Sequence, residues 1–594
     1  MLTIKIIRSP YGDFYHREIE NCNESYPEQY LEEISEQGFN GIWLHCILKD
    51  IVKSKVFPEF GSKEEEQIYQ LNKLVERCDK FGVKVFLYLC EPRGLREDDE
   101  FWENHPDVKG QEAVFPYYLG ELGGKYYALC TSTEKVKNFL YDSCYNLFKK
   151  VPGLGGAFLI NASEFLTHCY SHYPKHFYLA KHKGIVEDWA KLGFHCKRCE
   201  NREPYEVVAE VIRLIRDGIK DASREAEVIA WTWSWSIIEP DPQERLIKSL
   251  PEDVIIMSDF ERGGYKFFFG KRHFIDEYSL SYIGPSPRFK KQLHLAKKYG
   301  HKGMAKLQFA TTHELVSVPY IPVIFNFAEK IERLKKMGGD GFLYCWIFGG
   351  APNVVSRITG MLSKEELPKN KVIKRIAEEE YGKELAGYVV KAWRIFSEAF
   401  QRYPFSIPFI YNGPINYATI YPFKLDAEKV DTIPSWRPLP RDENGYLKVG
   451  DNIETWIEPF SPEEFIKQME TMADEWEKGT EVLENGLKAG RNKNFQREID
   501  IAKHIYFSFR STANIVKFYA NLRDYKEEKK EGSKERIIDI LRKELEIAEA
   551  DWEIWKRNHD FGYHPEAAEN FIREADFPYK IELLRKQIKH LIRE

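Results

Sequence analysis

The sequence has no uninterrupted apolar run of about 18 residues, the length a membrane-crossing helix needs. Its first residues (MLTIKIIRSPYGDFYHREIE) also lack the basic, apolar and small-residue stages of an export signal. A cytoplasmic protein with no membrane partner is therefore expected. Positive charge is not in excess either: Lys and Arg total 87 against 93 Asp and Glu, a net charge of -6. Without a basic face to neutralise phosphates, nucleic acid is excluded as an expected partner. The 10 cysteines are scattered, and only Cys196 and Cys199 stand in a metal-like spacing, which excludes a disulfide scaffold. No glycine-rich phosphate turn follows the first β-rich run, so a dinucleotide fold and an organic cofactor are not expected.

What remains is a chain of 594 residues, 43% apolar, rich in Tyr, Phe and Trp. Short β-rich runs alternate with stretches of helical period: strands are expected at 2–7, 41–46, 84–90, 156–161, 227–231, 253–258, 304–309 and 341–346. Strands with both faces apolar, separated by amphipathic helices, require a parallel sheet covered by helices. Eight such units predict an α/β fold, a (β/α)8 TIM barrel over 1–361, with an insertion after the fourth strand at about 165–203. Beyond 361 the strand signals stop, and helices are expected over 370–403, 462–489, 495–523, 535–555 and 565–594. These make a mainly helical C-terminal domain, 362–594, interrupted by an aromatic loop at 403–461. That loop packs either on the barrel rim or within its own domain.

In such barrels, chemistry sits at the C-terminal ends of the strands. The residues there are His45, Glu91, Asn161, Glu164, Trp233, Trp235, Asp259, Glu261, Glu314 and Trp346, an acid-rich mouth with several tryptophans. Crowded carboxylates repel unless paired, protonated or engaged by a ligand. Glu164 after the fourth strand and Glu314 after the seventh resemble the clan A retaining glycoside hydrolases, whose acid/base follows strand four and whose nucleophile follows strand seven. Here Ser163 precedes Glu164 where that clan often has Asn, and Asn161 lies three residues back. The stretches ALCTSTEKV, SEFLTHC, CKRCENREPYEVVAEV and HELVSVPYIPV are also similar to uncharacterised bacterial barrel proteins grouped with family 20 hexosaminidases. The resemblance implies a retaining, exo-acting β-glycosidase with Glu164 as acid/base and Glu314 as nucleophile. Asn161, Trp233, Trp235, Asp259, Glu261, Trp346, Glu91 and His45 would bind the β-linked sugar. Trp233, Trp235 and Trp346 can offer rings to the apolar face of a pyranose. A substrate-assisted β-N-acetylhexosaminidase is the alternative, with Asp259 orienting the acetamido group.

Cys196-Lys-Arg-Cys199 is a C-x2-C knuckle, and Cys169 lies five residues after Glu164. Three thiolates and one histidine complete a tetrahedral zinc site, with His172 the expected fourth ligand and His168 or His195 the alternates. Such a zinc is expected to be structural, pinning the insertion near the active site, because three thiolates quench Lewis acidity. The remaining cysteines, Cys130 among them, read as packing residues. A metal-dependent barrel hydrolase and a non-catalytic sugar-binding protein are the readings from other classes. The sequence is compatible with a homo-oligomer.

Overall fold

The computed structural model describes residues 2–15, 17–115, 123–172, 193–528 and 530–593. Eight parallel strands close into a barrel. They are β1 (Ile4–Ile7), β2 (Gly41–Cys46), β3 (Lys84–Leu89), β4 (Gly156–Leu159), β5 (Glu227–Trp231), β6 (Val254–Asp259), β7 (Gly303–Lys306) and β8 (Gly341–Leu343). Each pairs with its sequence neighbours, and β8 closes on β1 through Ile4 opposite Gly341. The strands β1, β2, β4, β6 and β7 are buried along their whole length, which accounts for their apolar runs. All eight expected strands are present. Those expected at 156–161, 304–309 and 341–346 end two or three residues early, so Asn161, Phe309 and Trp346 lie just beyond strand ends.

Local signals set the intervening helices. Glu28–Gln37 ends at Gly38, whose φ of 102° lets its N–H turn back onto Ile34 and Ser35 carbonyls. Thr133 caps Glu134–Lys150 through Val136 N–H, and Ser286 caps Pro287–Lys298 through Phe289 N–H. Rings from neighbouring strands fill the barrel: Phe158 lies 5.3 Å from Trp43, 5.4 Å from Tyr88 and 6.2 Å from Trp231.

Contacts divide the chain into two compact units that do not follow the expected boundary at 361. The first comprises 1–260, 286–307 and 334–344; the second comprises 261–285, 308–333 and 345–594. The segments after β6 and β7 thus belong to the second unit. Their counterpart after β3 carries a three-stranded antiparallel sheet, Leu95–Arg96, Lys109–Phe115 and Gly124–Leu129, in the first unit.

The second unit is built on helices Lys369–Tyr381, Lys383–Phe400, Pro462–Gly486, Lys493–Arg523, Ser533–Trp555 and Asp576–Arg593. Gly382, at φ 84°, splits the helix expected over 370–403. The helix expected from 565 starts only at Asp576, because residues 563–570 form the small hairpin Tyr563–His564/Glu569–Asn570 instead. The aromatic loop packs on the 261–285 and 308–333 segments: Lys266 Nζ donates to Tyr403 O at 2.9 Å, Tyr411 donates to the Glu277 carboxylate, and Val316 N donates to Asn416 Oδ1 at 2.8 Å.

Candidate active site and four-thiol cluster

The first unit places seven of the expected residues at the C-terminal ends of β2 to β6. Asn161, two residues past β4, is fully buried, and neither its amide oxygen nor its amide nitrogen has a partner among the described residues. Its backbone carbonyl, by contrast, accepts from His168 Nε2 at 2.5 Å and Thr167 Oγ1 at 3.2 Å. Glu164 follows, half-buried, with a left-handed φ of 71°. Across from it Ser234 has φ 62°, and Ser163 and Ser234 hydroxyls meet at 2.5 Å, tying the β4 and β5 ends together. Two non-glycine residues held in this region at adjacent strand ends are a local strain of the kind found where side chains are aimed. The Glu164 charge reaches the barrel interior: burial, then Cys90 and Glu164, push the Tyr88 hydroxyl well above its usual range.

Asp259, the last residue of β6, accepts the Trp231 indole N–H at 2.8 Å and sits opposite Lys306 in the parallel register. Trp233 is half-buried, open enough to offer a ring, whereas Trp235 is fully buried with its indole N–H unpartnered among the described residues. Trp231 and Lys306 were not among the expected site residues; their side chains sit inside strands, where apolar patterning masks function.

His45 and Glu91, expected as sugar ligands, have their polar atoms engaged within their own unit. His45 Nδ1 bonds Phe14 O and Nε2 bonds Arg93, both at 2.8 Å, and burial with Arg93 holds its pKa well below the usual range. The ring is therefore neutral and occupied at both nitrogens. Glu91 is buried, with one oxygen accepting Leu48 N–H at 2.7 Å and the other Arg93 N–H at 2.8 Å. Arg93 in turn lies 3.6 Å over the Phe165 ring, bracing the residue after Glu164.

Three expected residues fall in the second unit. Glu314 is fully buried and saturated by its own unit: Oε1 accepts Ser279 Oγ at 2.7 Å and Ser281 Oγ at 2.5 Å, Oε2 accepts Leu280 N–H at 2.6 Å and Thr312 Oγ1 at 3.2 Å, and Ser281 N–H lies 3.3 Å from both oxygens. A carboxylate has roughly four lone-pair sites, so this one is the anchor of residues 279–281 and not a free nucleophile. Glu261 is likewise buried, paired with buried Lys330 at 2.5 Å, and Lys330 also donates to Ser279 O at 2.7 Å. Trp346 is buried, and its backbone N–H donates to Gln308 Oε1 at 3.0 Å.

The cysteine cluster has four thiols. Cys130, Cys169, Cys196 and Cys199 are all buried, with their sulfurs within 4.8 Å of one another. Cys130 Sγ is 3.6 Å from Cys196 Sγ and 3.7 Å from Cys199 Sγ. This corrects the expected ligand set: the fourth member is Cys130, at the end of the Gly124–Leu129 strand, and not His172. The His172 ring turns to Ser171 Oγ at 3.0 Å and to the Phe115 edge, His168 serves the Asn161 carbonyl, and His195 faces Glu112 at 3.3 Å. Donors surround the sulfurs, Arg198 Nε to Cys130 at 3.2 Å, Gln111 N–H to Cys169 at 3.4 Å and Ser132 with Cys199 at 3.2 Å. Hydrogen bonds from the Cys169, Cys196 and Cys199 thiols, with Arg198 beyond them, hold Cys130 far below the usual thiol range against the opposing effect of burial. Four buried thiols with charge-stabilising donors could hold a metal ion. Most of the insertion that they bracket, 173–192, lies outside the described residues.

No family model matches the chain, and no curated protein does. Among solved structures it is similar to a GH138 enzyme targeting pectin rhamnogalacturonan II, at TM-score 0.55 and 11% identity over 99% of this chain and 68% of that one. It is also similar to a Thermobaculum terrenum O-GlcNAc hydrolase, at TM-score 0.38 and 9% identity over 100% of this chain and 94% of that one. A Flavobacterium johnsoniae chitobiase matches at TM-score 0.37 and 10% identity over 91% of this chain and 75% of that one. At 11% identity, the first likeness establishes a shared fold, a barrel with its C-terminal region.

Proposed function

We propose that this protein is a glycoside hydrolase that removes a β-linked sugar from the end of its substrate with retention. Glu164 donates the proton to the leaving oxygen, and Asp259 supplies the negative charge opposite the anomeric carbon. The observation that carries this reading is Asn161. A buried amide without partners costs about 1–3 kcal/mol, and it stands three residues before the strained Glu164. A sugar, dense in hydroxyls, satisfies such an amide through one donor and one acceptor. The half-buried Trp233 ring offers a pyranose face its complement.

In the first half-reaction Glu164, protonated, gives its proton to the glycosidic oxygen as that bond breaks, and the Asp259 carboxylate bonds the anomeric carbon. In the second, Glu164 takes a proton from water as the water displaces Asp259. Glu314, the partner implied by the resemblance, is set aside because its lone pairs serve Ser279, Leu280, Ser281 and Thr312. Glycoside hydrolases also occur among the proteins whose fold this chain shares. The test is turnover of aryl β-glycosides, with and without a 2-acetamido group, by Glu164→Gln and Asp259→Asn. Loss by Asp259→Asn on every substrate, and loss by Glu164→Gln that deepens as the leaving group becomes more basic, with the fold retained, supports the pair; full activity of either variant on substrates with poor leaving groups removes that residue from its role.

We propose further that the four thiols bind one structural zinc. At a zinc–sulfur distance of about 2.3 Å, tetrahedral thiolates stand about 3.8 Å apart, close to the 3.6 and 3.7 Å found from Cys130. Zinc supplies a cross-link between the sheet after β3, the loop after β4 and the Cys196–Cys199 knuckle, and with four sulfur ligands it offers no open position for chemistry. Elemental analysis of protein purified without chelator should give one zinc per chain; none would contradict the site.

A further inference from the structure

Arg93, in the loop after β3, is half-buried and takes no part in the two half-reactions. A guanidinium has five N–H donors. Among the described residues one of them meets an acceptor: Nη2 donates to His45 Nε2 at 2.8 Å. Nε is buried without a partner among the described residues, and the group enters no ion pair there. His45 brings no charge to the contact. Its Nδ1 bonds the Phe14 carbonyl, which can only accept, so Nδ1 carries the proton and Nε2 is the acceptor of a neutral ring.

The carboxylates of the same strand ends do not compensate this cation. Glu91 turns one oxygen to the Leu48 N–H and the other to the backbone N–H of Arg93, away from the guanidinium. Burial pushes its carboxyl above the usual range against the pull of Arg93. Arg8, just after β1, shows the ordinary solution: its Nη1 pairs with Glu18 at 2.5 Å, both side chains being buried.

Arg93 is nevertheless held in one orientation. Its guanidinium lies 3.6 Å over the Phe165 ring, and that ring stacks on His45 at 5.7 Å and 16°. The Gly94 N–H donates to Leu166 O at 2.7 Å, joining the loop after β3 to the loop that carries Glu164. The charges of Arg93 and Glu164 both reach the Tyr88 hydroxyl and the Cys90 thiol, Glu164 raising and Arg93 lowering their pKa values. A cation half out of water without a counter-ion is unfavourable. A flat fork fixed on an aromatic face is the arrangement that receives two coplanar oxygens of one carboxylate.

Resting on the glycosidase reading and deepening it, we propose that the sugar removed is a uronic acid, whose carboxylate takes the free N–H groups of Arg93. The compensating charge then arrives with the substrate. A neutral sugar offers only hydroxyls and leaves the cation uncompensated, and the single planar fork matches a carboxylate better than a tetrahedral sulfate ester.

The experiment compares the intact chain with Arg93→Met and Arg93→Lys on aryl β-D-glucuronide and β-D-galacturonide, on the matching neutral glucoside and galactoside, and on the galactoside 6-sulfate. The wild type should turn over one uronide with kcat/KM about 100-fold above that of its neutral counterpart. Arg93→Met should bring that ratio near one, and Arg93→Lys, which keeps the charge and loses the fork, should fall between. Binding is read separately, because turnover also depends on Glu164 and Asp259. By calorimetry, Glu164→Gln should bind D-glucuronate or D-galacturonate saturably, and Glu164→Gln/Arg93→Met should not, with unchanged circular dichroism. Uronate binding without hydrolysis of any glycoside would uphold the carboxylate at Arg93 and overturn the roles of Glu164 and Asp259. A neutral glycoside or the 6-sulfate preferred over both uronides, no uronate binding, or uronate binding undisturbed by Arg93→Met would overturn the proposal.

Discussion

Glu314 and Asn161 are both fully buried polar residues near strand ends, yet their surroundings are opposite. The five donors around Glu314 make it a structural group, and Glu314→Gln puts an amide N–H2 against donors that need an acceptor. That change should cost about 1–3 kcal/mol, read as a lower thermal midpoint, while turnover of surviving enzyme stays near normal; unchanged stability with lost turnover would return Glu314 to the chemistry. Asn161→Leu, similar in size, removes an unpartnered amide. It should leave the midpoint equal or higher but lower kcat/KM by about 100-fold, and a variant as active as the parent would detach Asn161 from the substrate. Which residues stand at strand ends was legible from the eight β-rich runs. Whether their polar atoms are occupied was not, because the Ser279–Ser281 segment that satisfies Glu314 lies more than thirty positions away in sequence.

At the scale of elements, the four-thiol cluster shows what spacing can carry. Cys196 and Cys199 announce themselves by their separation, and Cys169 by its place after the fourth strand. Cys130 is set by the register of the antiparallel sheet after β3, where its strand pairs with Lys109–Phe115. Those short strands had no sequence signature strong enough to be expected, so their cysteine read as packing. Cys130→Ser should lose the bound zinc and lower the thermal midpoint, since structural metal binding is folding free energy. His172→Ala should keep one zinc per chain; metal loss from it would restore the histidine ligand. The C-terminal helices were legible from their periodicity wherever no glycine or hairpin intervened. Gly382 and the 563–570 hairpin broke the pattern at points where helical period alone gave no warning.

At the scale of the whole molecule, the barrel was readable because both faces of a parallel strand are apolar, a signal that survives without knowledge of partners. The division into two units was not, because nothing in the sequence tells which packed unit the hairpin-bearing segment after β6 or the helix-bearing segment after β7 joins. Each unit holds a buried neutral histidine. Burial, then His168, holds His172 at about 3, and burial, then His313, holds His564 at about 3. The unfolded value is about 6.5, so the unfolded chain binds these protons first. Stability is whole above that value and falls as pH drops toward 3. Each unit should lose about 2 kcal/mol between pH 6.5 and pH 5. Thermal midpoints measured across that window should decline, and a flat profile would contradict the burial of both rings.

The most direct test of Glu164 as the proton donor is the leaving-group dependence of Glu164→Gln. Across aryl β-glycosides, activated leaving groups depart without protonation, so the variant should retain turnover on those and lose it progressively as the leaving group becomes more basic. Equal loss on every substrate, or none on any, would contradict the account.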